Sequence, residues 1–248
     1  MVTAPAAADA VARAHRLTSL RVGLHLVLID GSPALPPEQL CGLVRRDGRF
    51  DGHQLRAGLR IFLVPGARRR LAAEIRAQFE AFRATGLTLD HVNAHKHMHL
   101  HPTVARLVVE IGRDYGLRAV RLPAEPADVL RRAFPGERLL ARPPGFAVAA
   151  LRRRLKHAGV AMNDQVFGIA WSGAMVENRI LGLLPCLPPG VSEVYCHPAT
   201  ERSPALAAAM PGYRNPEELA ALLSARVKRR IEELGIGLVS YGDLAAAG

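Results

Sequence analysis

Five histidines fall between His91 and His101, in the run His91-Val-Asn-Ala-His-Lys-His-Met-His-Leu-His-Pro102. From His95 to His101 they alternate, and an extended strand sends every second side chain to the same face. Neutral imidazole is the commonest protein metal ligand. The run therefore points to a divalent-metal site at the C-terminal end of a strand, where α/β folds place their chemistry. A solvated histidine-rich turn is the plainer alternative. His25 sits in the apolar run Val22–Leu28, where a lone histidine is more often a satisfied core residue. His197 precedes Pro198 and is either an acid–base group or a strand terminator. Arg121 leaves a short strand, either as a substrate contact or as an ordinary exposed arginine. Ser172 and Gly173 either shape a substrate-side loop or start a helix. Cys196 next to His197 hints at a thiol nucleophile, but adjacent strand residues face opposite ways, which removes it.

The elements that must position these residues alternate between strand-like and helical patterns, as in an α/β protein with a mostly parallel sheet. A helix is predicted over Ala6–Arg16, then a strand over Arg21–Leu28, a loop from Gly31 to Pro37, and short helices to about Phe62. Arg68–Thr85 is amphipathic, with Leu71, Ile75, Phe79 and Phe82 on one face and Gly86 as its stop. The strand Leu87–Asn93 delivers the histidine run, and the helix Thr103–Tyr115 follows. Ala119–Leu122 is a further strand, and Pro123–Phe146 is either an excursion over the domain or a loop. Beyond it come a helix over Ala147–Ala158, a strand near Gln165–Ala170, a helix over Ala174–Leu184 and a strand over Gly190–Cys196. The last helix runs from Asn215, read as its cap, to Gly235, and a strand over Ile236–Ser240 closes the chain. With neither repeat nor long linker, residues 1–248 read as one domain.

The chain has 248 residues, 49% of them hydrophobic, which is enough for a full core. No segment reaches the run of about 20 apolar residues needed to span a bilayer, and the first residues lack the pattern of a secretory signal. Cys41, Cys186 and Cys196 form neither a disulfide framework nor zinc-knuckle spacing, so a reduced, cytoplasmic protein is the default. The net charge is +11, with arginines in clusters such as Arg68–Arg70 and Arg152–Arg154. Such a balance suits an anionic membrane surface or nucleic acid, or simply reflects a GC-rich genome. No aromatic residues interleave with the basic clusters, so stacking platforms for single strands are absent and no nucleic-acid partner is expected.

Three segments together resemble the YdjC-like carbohydrate deacetylase family: Val22–Leu28, His91–Pro102 and Glu193-Val-Tyr-Cys-His-Pro-Ala199. Phe167–Gly173 and Val239–Leu244 support the match, which covers nearly the whole chain. Asn-Ala-His-Lys-His at 93–97 looks most like the hopanoid-biosynthesis (HpnK) branch; the family's oligosaccharide deacetylases more usually carry aspartate where this chain has Asn93. The resemblance implies a distorted (β/α) barrel of the glycoside hydrolase/deacetylase type. It implies hydrolysis of an N-acetyl group from a hexosamine, and for this branch from an N-acetylglucosaminyl hopanoid. By position, His25 and His95 match the two histidine metal ligands, and His197 matches a late-strand acid or base. His91, His97 and His99 are candidates to orient the ligands or touch substrate, and Arg121 remains a substrate candidate.

An acetamide is a poor electrophile, and its hydrolysis calls for metal-activated water, a base and an acid. Two histidines and a carboxylate would suit several divalent metals, magnesium or zinc among them. The family begins with a strand ending in Asp-Asp-Phe-Gly, which supplies the carboxylate and a base. This chain shows no such segment, and is expected to lack about 40 family residues containing the first βα unit. Asp30 and Asp90 lie near the histidine segments, but neither is identifiable as a replacement. Three functions stand open. The first is a glycolipid deacetylase at the cytoplasmic membrane face. The second is a deacetylase of soluble chitin-type oligosaccharides. The third is an inactive chain that binds anionic lipid or nucleic acid. A homodimer is a further option.

Overall fold

The computed structural model describes residues 1–139 and 142–247. In chain order the first elements are α1 (Ala7–Arg16), β1 (Val22–Leu26), a 3-10 turn (Pro37–Leu40), α2 (Gln54–Leu63), α3 (Ala67–Arg83) and β2 (Leu89–Ala94). A 3-10 segment (His95–Leu100) then leads into α4 (Pro102–Gly112), followed by α5 (Ala127–Ala133), α6 (Gly145–Ala158), β3 (Gln165–Phe167) and α7 (Glu177–Leu183). The chain continues through β4 (Ser192–Val194), α8 (Pro204–Ala209), α9 (Asn215–Leu223), α10 (Ala225–Glu233) and α11 (Tyr241–Ala247). It divides into two compact units.

The first unit holds Met1–Arg121, Phe146–Met162 and the chain from Ser240 onward. At its centre β1 and β2 run parallel, pairing Leu24 with Val92, His25 with Asn93 and Leu26 with Ala94. A Cβ at Gly23 would fall 2.5 Å from the His91 ring, so glycine lets that ring approach the strand. Single parallel bridges join Val92 to Val120 and Ala119 to Ala161; the strand predicted at Ala119–Leu122 exists only as these rungs. Between β1 and β2 lies α3, whose Leu71, Ile75, Phe79 and Phe82 are all buried, as their helical spacing predicts. The same helix buries two polar groups. Gln78 Nε2 donates to the Val27 carbonyl (2.7 Å) and Oε1 accepts from Val27 N (2.9 Å), doing for the end of β1 what a neighbouring strand would do. Glu74 accepts from Ala34 N and Leu35 N (2.7 and 2.9 Å), and burial raises its pKa despite those donors. Phe79 is 1% exposed and stacks on Tyr115 with ring centroids 5.1 Å apart. Phe79→Ala is expected to cost about 3–5 kcal/mol in urea unfolding, and a loss under about 1 kcal/mol would contradict this packing.

The second unit holds Leu122–Gly145 and Asn163–Val239. Here β3 and β4 pair in parallel, Val166 opposite Glu193. Its core gathers Leu130, Phe167, Trp171, Met175, Ile180 and Leu183 among others. Glu125 is buried and accepts three successive backbone N–H groups, from Gly168, Ile169 and Ala170 (2.7, 2.9 and 2.7 Å). Asn163 braces Leu122 from both sides, its Oδ1 accepting from Leu122 N and its Nδ2 donating to Leu122 O.

Several sequence expectations change. The histidine run is not an extended strand. Extended backbone ends at Ala94, and Lys96 and His97 take left-handed conformations (φ 48° and 54°), which breaks the alternation. The helix predicted from Ala174 begins at Glu177. The helix predicted over Asn215–Gly235 is two, because Ser224 takes extended angles and its Oγ accepts from Arg226 N and Val227 N as the cap of α10. Asn215 lies inside α9 and is not its cap. Ile236–Ser240 forms no strand, and α11 follows it. The excursion predicted at Pro123–Phe146 contains α5; its residues 140 and 141 lie outside the described residues.

Candidate active site

Residues paired across two strands share a face, as do residues two apart along a strand. The pairing of His25 with Asn93 therefore sets their side chains side by side, and alternation along β2 adds His91. His95 follows directly on the strand's end, and the alternation predicted from His95 to His101 does not hold. His25 Nδ1 is hydrogen-bonded to Asn93. The His25 and His95 rings meet edge to face, with centroids 5.7 Å apart and planes at 72°. Burial pushes the His25 pKa down to about 3 and lowers that of His95, to which the Lys96 charge adds. Both are neutral near pH 7, the form a metal requires.

Asn93 has two useful amide orientations. In one, His25 Nδ1–H donates to Oδ1, leaving Nε2 of His25 as a bare lone pair, while Nδ2 faces His91 Nε2 at 3.2 Å. In the other, Nδ2 donates to His25 Nδ1, and Oδ1 accepts from Arg121 Nη1 and Nη2 (3.3 and 3.2 Å) and from His91 Nε2 (3.2 Å). The first leaves His25 Nε2 free for a metal but sets the Asn93 amide nitrogen against the Arg121 donors; the second satisfies both ends of the amide. Behind Asn93, His91 Nδ1 pairs with Asp90 Oδ2 (2.8 Å) and its ring stacks on Tyr241 (4.4 Å). Asp90 Oδ1 also accepts from Gly242 N, so α11 closes this brace.

His25 and His95 fit two nitrogen positions of a divalent ion. Among the described residues no cluster of three His, Cys, Asp or Glu side chains completes a set. Asp30 is committed to Lys96 (2.6 Å) and Asp90 to His91 and Gly242 N, so neither carboxylate completes a set with the two imidazoles.

The remaining sequence candidates separate by position. His99 is fully buried, and its Nε2–H donates to the Arg121 carbonyl at 3.0 Å; it fixes Arg121 from behind instead of meeting a substrate. Arg121 is itself buried, its guanidinium beside Asn93 and not open at a rim. His97 is half-buried, with its ring 6.1 Å from that of His99. His101 caps α4, its Nδ1 accepting from Thr103 N.

In the second unit His197 follows β4, and four groups hold it. Its N–H donates to Glu218 Oε2 (2.6 Å), and its carbonyl accepts from Asn215 Nδ2 (2.7 Å). Its Nε2 meets the Tyr195 hydroxyl at 2.8 Å, and the Tyr213 ring lies 4.9 Å away. Glu218 Oε1 also accepts from Met175 N (2.8 Å). Tyr213 reaches Ser172 through its hydroxyl (2.7 Å) and covers Gly173, where a Cβ would strike its ring at 2.2 Å and φ is +79°. Ser172 and Gly173 thus form a seat for Tyr213. Glu218, Tyr195 and Tyr213 have no signal in the sequence that marks them as partners of His197, and Asn215 reads there only as a helix cap. Burial pushes the Cys196 thiol up to about 12, so it is no nucleophile near pH 7; the strand expected over Gly190–Cys196 ends at Val194, so alternation along it is not the reason.

His25, His95 and the buried His99 all have pKa values held below the ordinary histidine value. Between about pH 6.5 and their folded values the unfolded chain binds more protons, so stability rises with pH and is lost on acidification. Glu74 and Glu125, whose pKa values burial raises, act oppositely above about pH 4.5. Metal-free protein is expected to show a urea midpoint that falls from pH 7 to pH 5. A midpoint that is flat or rises would mean that the buried carboxylates offset or outweigh the imidazoles.

The fold and the strand-end imidazoles define an α/β protein built on short parallel strands, with a histidine-lined site at a strand terminus. The chain matches the YdjC-like protein family over residues 1–233 and belongs to it. It is 29% identical over 244 residues to a carbohydrate deacetylase of Geobacillus stearothermophilus, covering 98% of this chain and 84% of that one. A mouse (Mus musculus) carbohydrate deacetylase is 27% identical over 259 residues, covering 96% and 82% of the two chains. One from Vibrio vulnificus is 38% identical over 127 residues, half of this chain and 48% of its own length. A solved structure from Enterococcus faecalis, described as a cellobiose-phosphate cleavage protein, superposes with a TM-score of 0.76 at 24% identity. It covers 98% of this chain and 85% of that one, and shares the fold.

Proposed function

We propose that this carbohydrate deacetylase removes the acetyl group from an N-acetylglucosaminyl hopanoid, with His25 and His95 as the nitrogen ligands of a divalent ion, magnesium or zinc. The observation that carries the metal assignment is the pair of neutral imidazoles set edge to face at 5.7 Å and braced through Asn93. The family's distorted (β/α) barrel and a single catalytic domain over 1–248 belong to this reading, supported by a family match that runs through both units. When bound, the ion would polarise the acetyl carbonyl and acidify a water. The chain's own residues do the rest. Asn93 fixes the His25 ring, with His91 and Asp90 behind it. His197 handles a proton at Nε2 with Tyr195 as its partner, in the acid–base role. His97 orients the sugar, Arg121 holds the Asn93 amide from behind, and His99 sets the Arg121 backbone.

The glycolipid assignment rests on Asn93 within Asn93-Ala-His-Lys-His97, and on a basic chain suited to a membrane surface on the cytoplasmic side. Among the described residues no helix is long and apolar enough to cross a membrane. Soluble chitin-type oligosaccharide is the second reading, favoured by the names of the relatives. Acetate release from detergent-dispersed N-acetylglucosaminyl hopanoid and from diacetylchitobiose, each with and without a chelator, tests both. The assay is run on this chain and on a version extended through any in-frame upstream sequence. Metal-dependent release from the hopanoid supports the proposal. Release from the soluble sugar alone replaces it with the second reading. Release that is indifferent to chelator removes the metal assignment.

A further inference from the structure

We infer that α2 is a docking helix for an anionic lipid surface. Leu55, Leu59, Phe62 and Leu63 are 74%, 56%, 49% and 74% exposed. Their spacing of four, seven and eight residues from Leu55 puts them on one side of the helix. The other side is packed, with Ile61 buried; at the edge of the apolar face a Cβ at Gly58 would sit 3.7 Å from the His101 ring. Leucine and phenylalanine at helical spacing normally face a core, and here they face outward together.

Charge identifies the occupant. Residues 45–70 hold eight arginines (Arg45, 46, 49, 56, 60, 68, 69 and 70) against Asp47 and Asp51, a net of +6 out of the chain's +11. Both aspartates are already paired, Asp47 with Arg45 and Asp51 with Arg56 and Arg60 (3.2 and 3.4 Å). Arg46, Arg49, Arg68 and Arg69 are exposed, and the Arg68 guanidinium lies over the Phe62 ring at 5.9 Å. A short helix with an apolar face and arginine flanks lies in the plane of a membrane interface and favours anionic lipid. Two copies of a surface so charged repel each other, and phosphates of nucleic acid have no use for four apolar side chains.

The docking helix also touches the histidine segment. Gln54 Nε2 donates to the Lys96 carbonyl (2.8 Å), and the Phe62 ring packs on His101 at 4.6 Å. A surface bound through α2 lies beside the loop that carries His95, a suitable place to meet a substrate whose lipid stays in the bilayer. That use rests on the glycolipid reading; the docking itself does not.

The test is cosedimentation of the full chain with phosphatidylcholine vesicles, with and without phosphatidylglycerol. Binding is expected only with phosphatidylglycerol and should weaken as salt rises. The Leu55→Glu/Leu59→Glu double variant should bind at least tenfold more weakly while keeping its far-UV spectrum. If that variant misfolds, Arg68→Glu/Arg69→Glu serves instead, with the same loss expected. Equal binding by wild type and a folded variant, or no binding by wild type, overturns the proposal. So does a wild-type dimer that the leucine variant dissociates in the ultracentrifuge, since a second copy would then cover the face. Vesicle binding without hydrolysis of the glycolipid leaves the docking helix standing and removes the substrate. Hydrolysis in detergent without vesicle binding does the reverse.

Discussion

Replacing His25 or His95 with alanine is expected to strip retained metal from the protein and to lower acetate release at least about a thousandfold. The ion's contribution to such a reaction is several kcal/mol, and each 1.36 kcal/mol is a factor of ten. The two rings meet at this strand end, and among the described residues no cluster of three His, Cys, Asp or Glu side chains offers a substitute site. Metal content after desalting, read beside acetate release, checks both halves. Asn93→Leu should give a smaller, graded effect. It keeps both donors but removes the partner of His25 Nδ1, and such braces typically carry 10–100-fold in metal affinity. If His25→Ala retained metal as tightly as the parent, the strand-end site would be wrong. If Asn93→Leu matched His25→Ala in severity, Asn93 would be more than a brace.

The second large effect belongs to Glu218. Its carboxylate receives Met175 N and His197 N in a fully buried setting. Glu218→Ala strands both donors, at about 1–3 kcal/mol each, and frees the backbone that sets the His197 ring. The variant should lose several kcal/mol of stability by these terms and, when folded, about 10²–10⁴ in kcat, the range of a misplaced acid–base group. Glu218→Gln offers Oε1 to one N–H only, and should fall between the two. Urea unfolding and kcat, measured together, distinguish positioning from bulk destabilisation. A Glu218→Gln variant with parental stability and a shifted pH–rate profile would show the effect passing through His197. Parental stability together with parental kcat in Glu218→Ala would contradict the clamp.

Periodicity carried the sequence reading where a helix or strand presents one apolar face. It located α3 through Leu71, Ile75, Phe79 and Phe82, and it located β1 and β2, whose pairing sets His25 beside Asn93. It failed where backbone conformation departs from any period. Nothing in His-Lys-His at 95–97 announces two consecutive left-handed residues, and with them the face-sharing of His95, His97 and His99 is lost. It failed again at polar residues that turn inward. Glu74, Gln78, Glu125 and Glu218 satisfy backbone groups 39 to 51, 43 to 45 or 21 to 43 positions away. On a helix such residues read as solvent-facing, because the loop amides that they serve leave no mark near them in sequence. The break at Ser224 was legible in principle, since serine before Ala-Arg-Val is a capping signal inside what looked like one continuous helix.

Glu125 fills a small anion receptor from within. The amides of Gly168, Ile169 and Ala170 converge on one carboxylate, as successive backbone N–H groups do around a bound anion. Shortened to alanine, position 125 would leave those three donors lining a space the size of formate or acetate. The cost of the truncation would then depend on solution composition. A small carboxylate that binds the folded variant at one hundred times its Kd would return about 2.7 kcal/mol, making the second unit's stability adjustable from the buffer by an ion of the same chemical kind as the acetate a deacetylase releases.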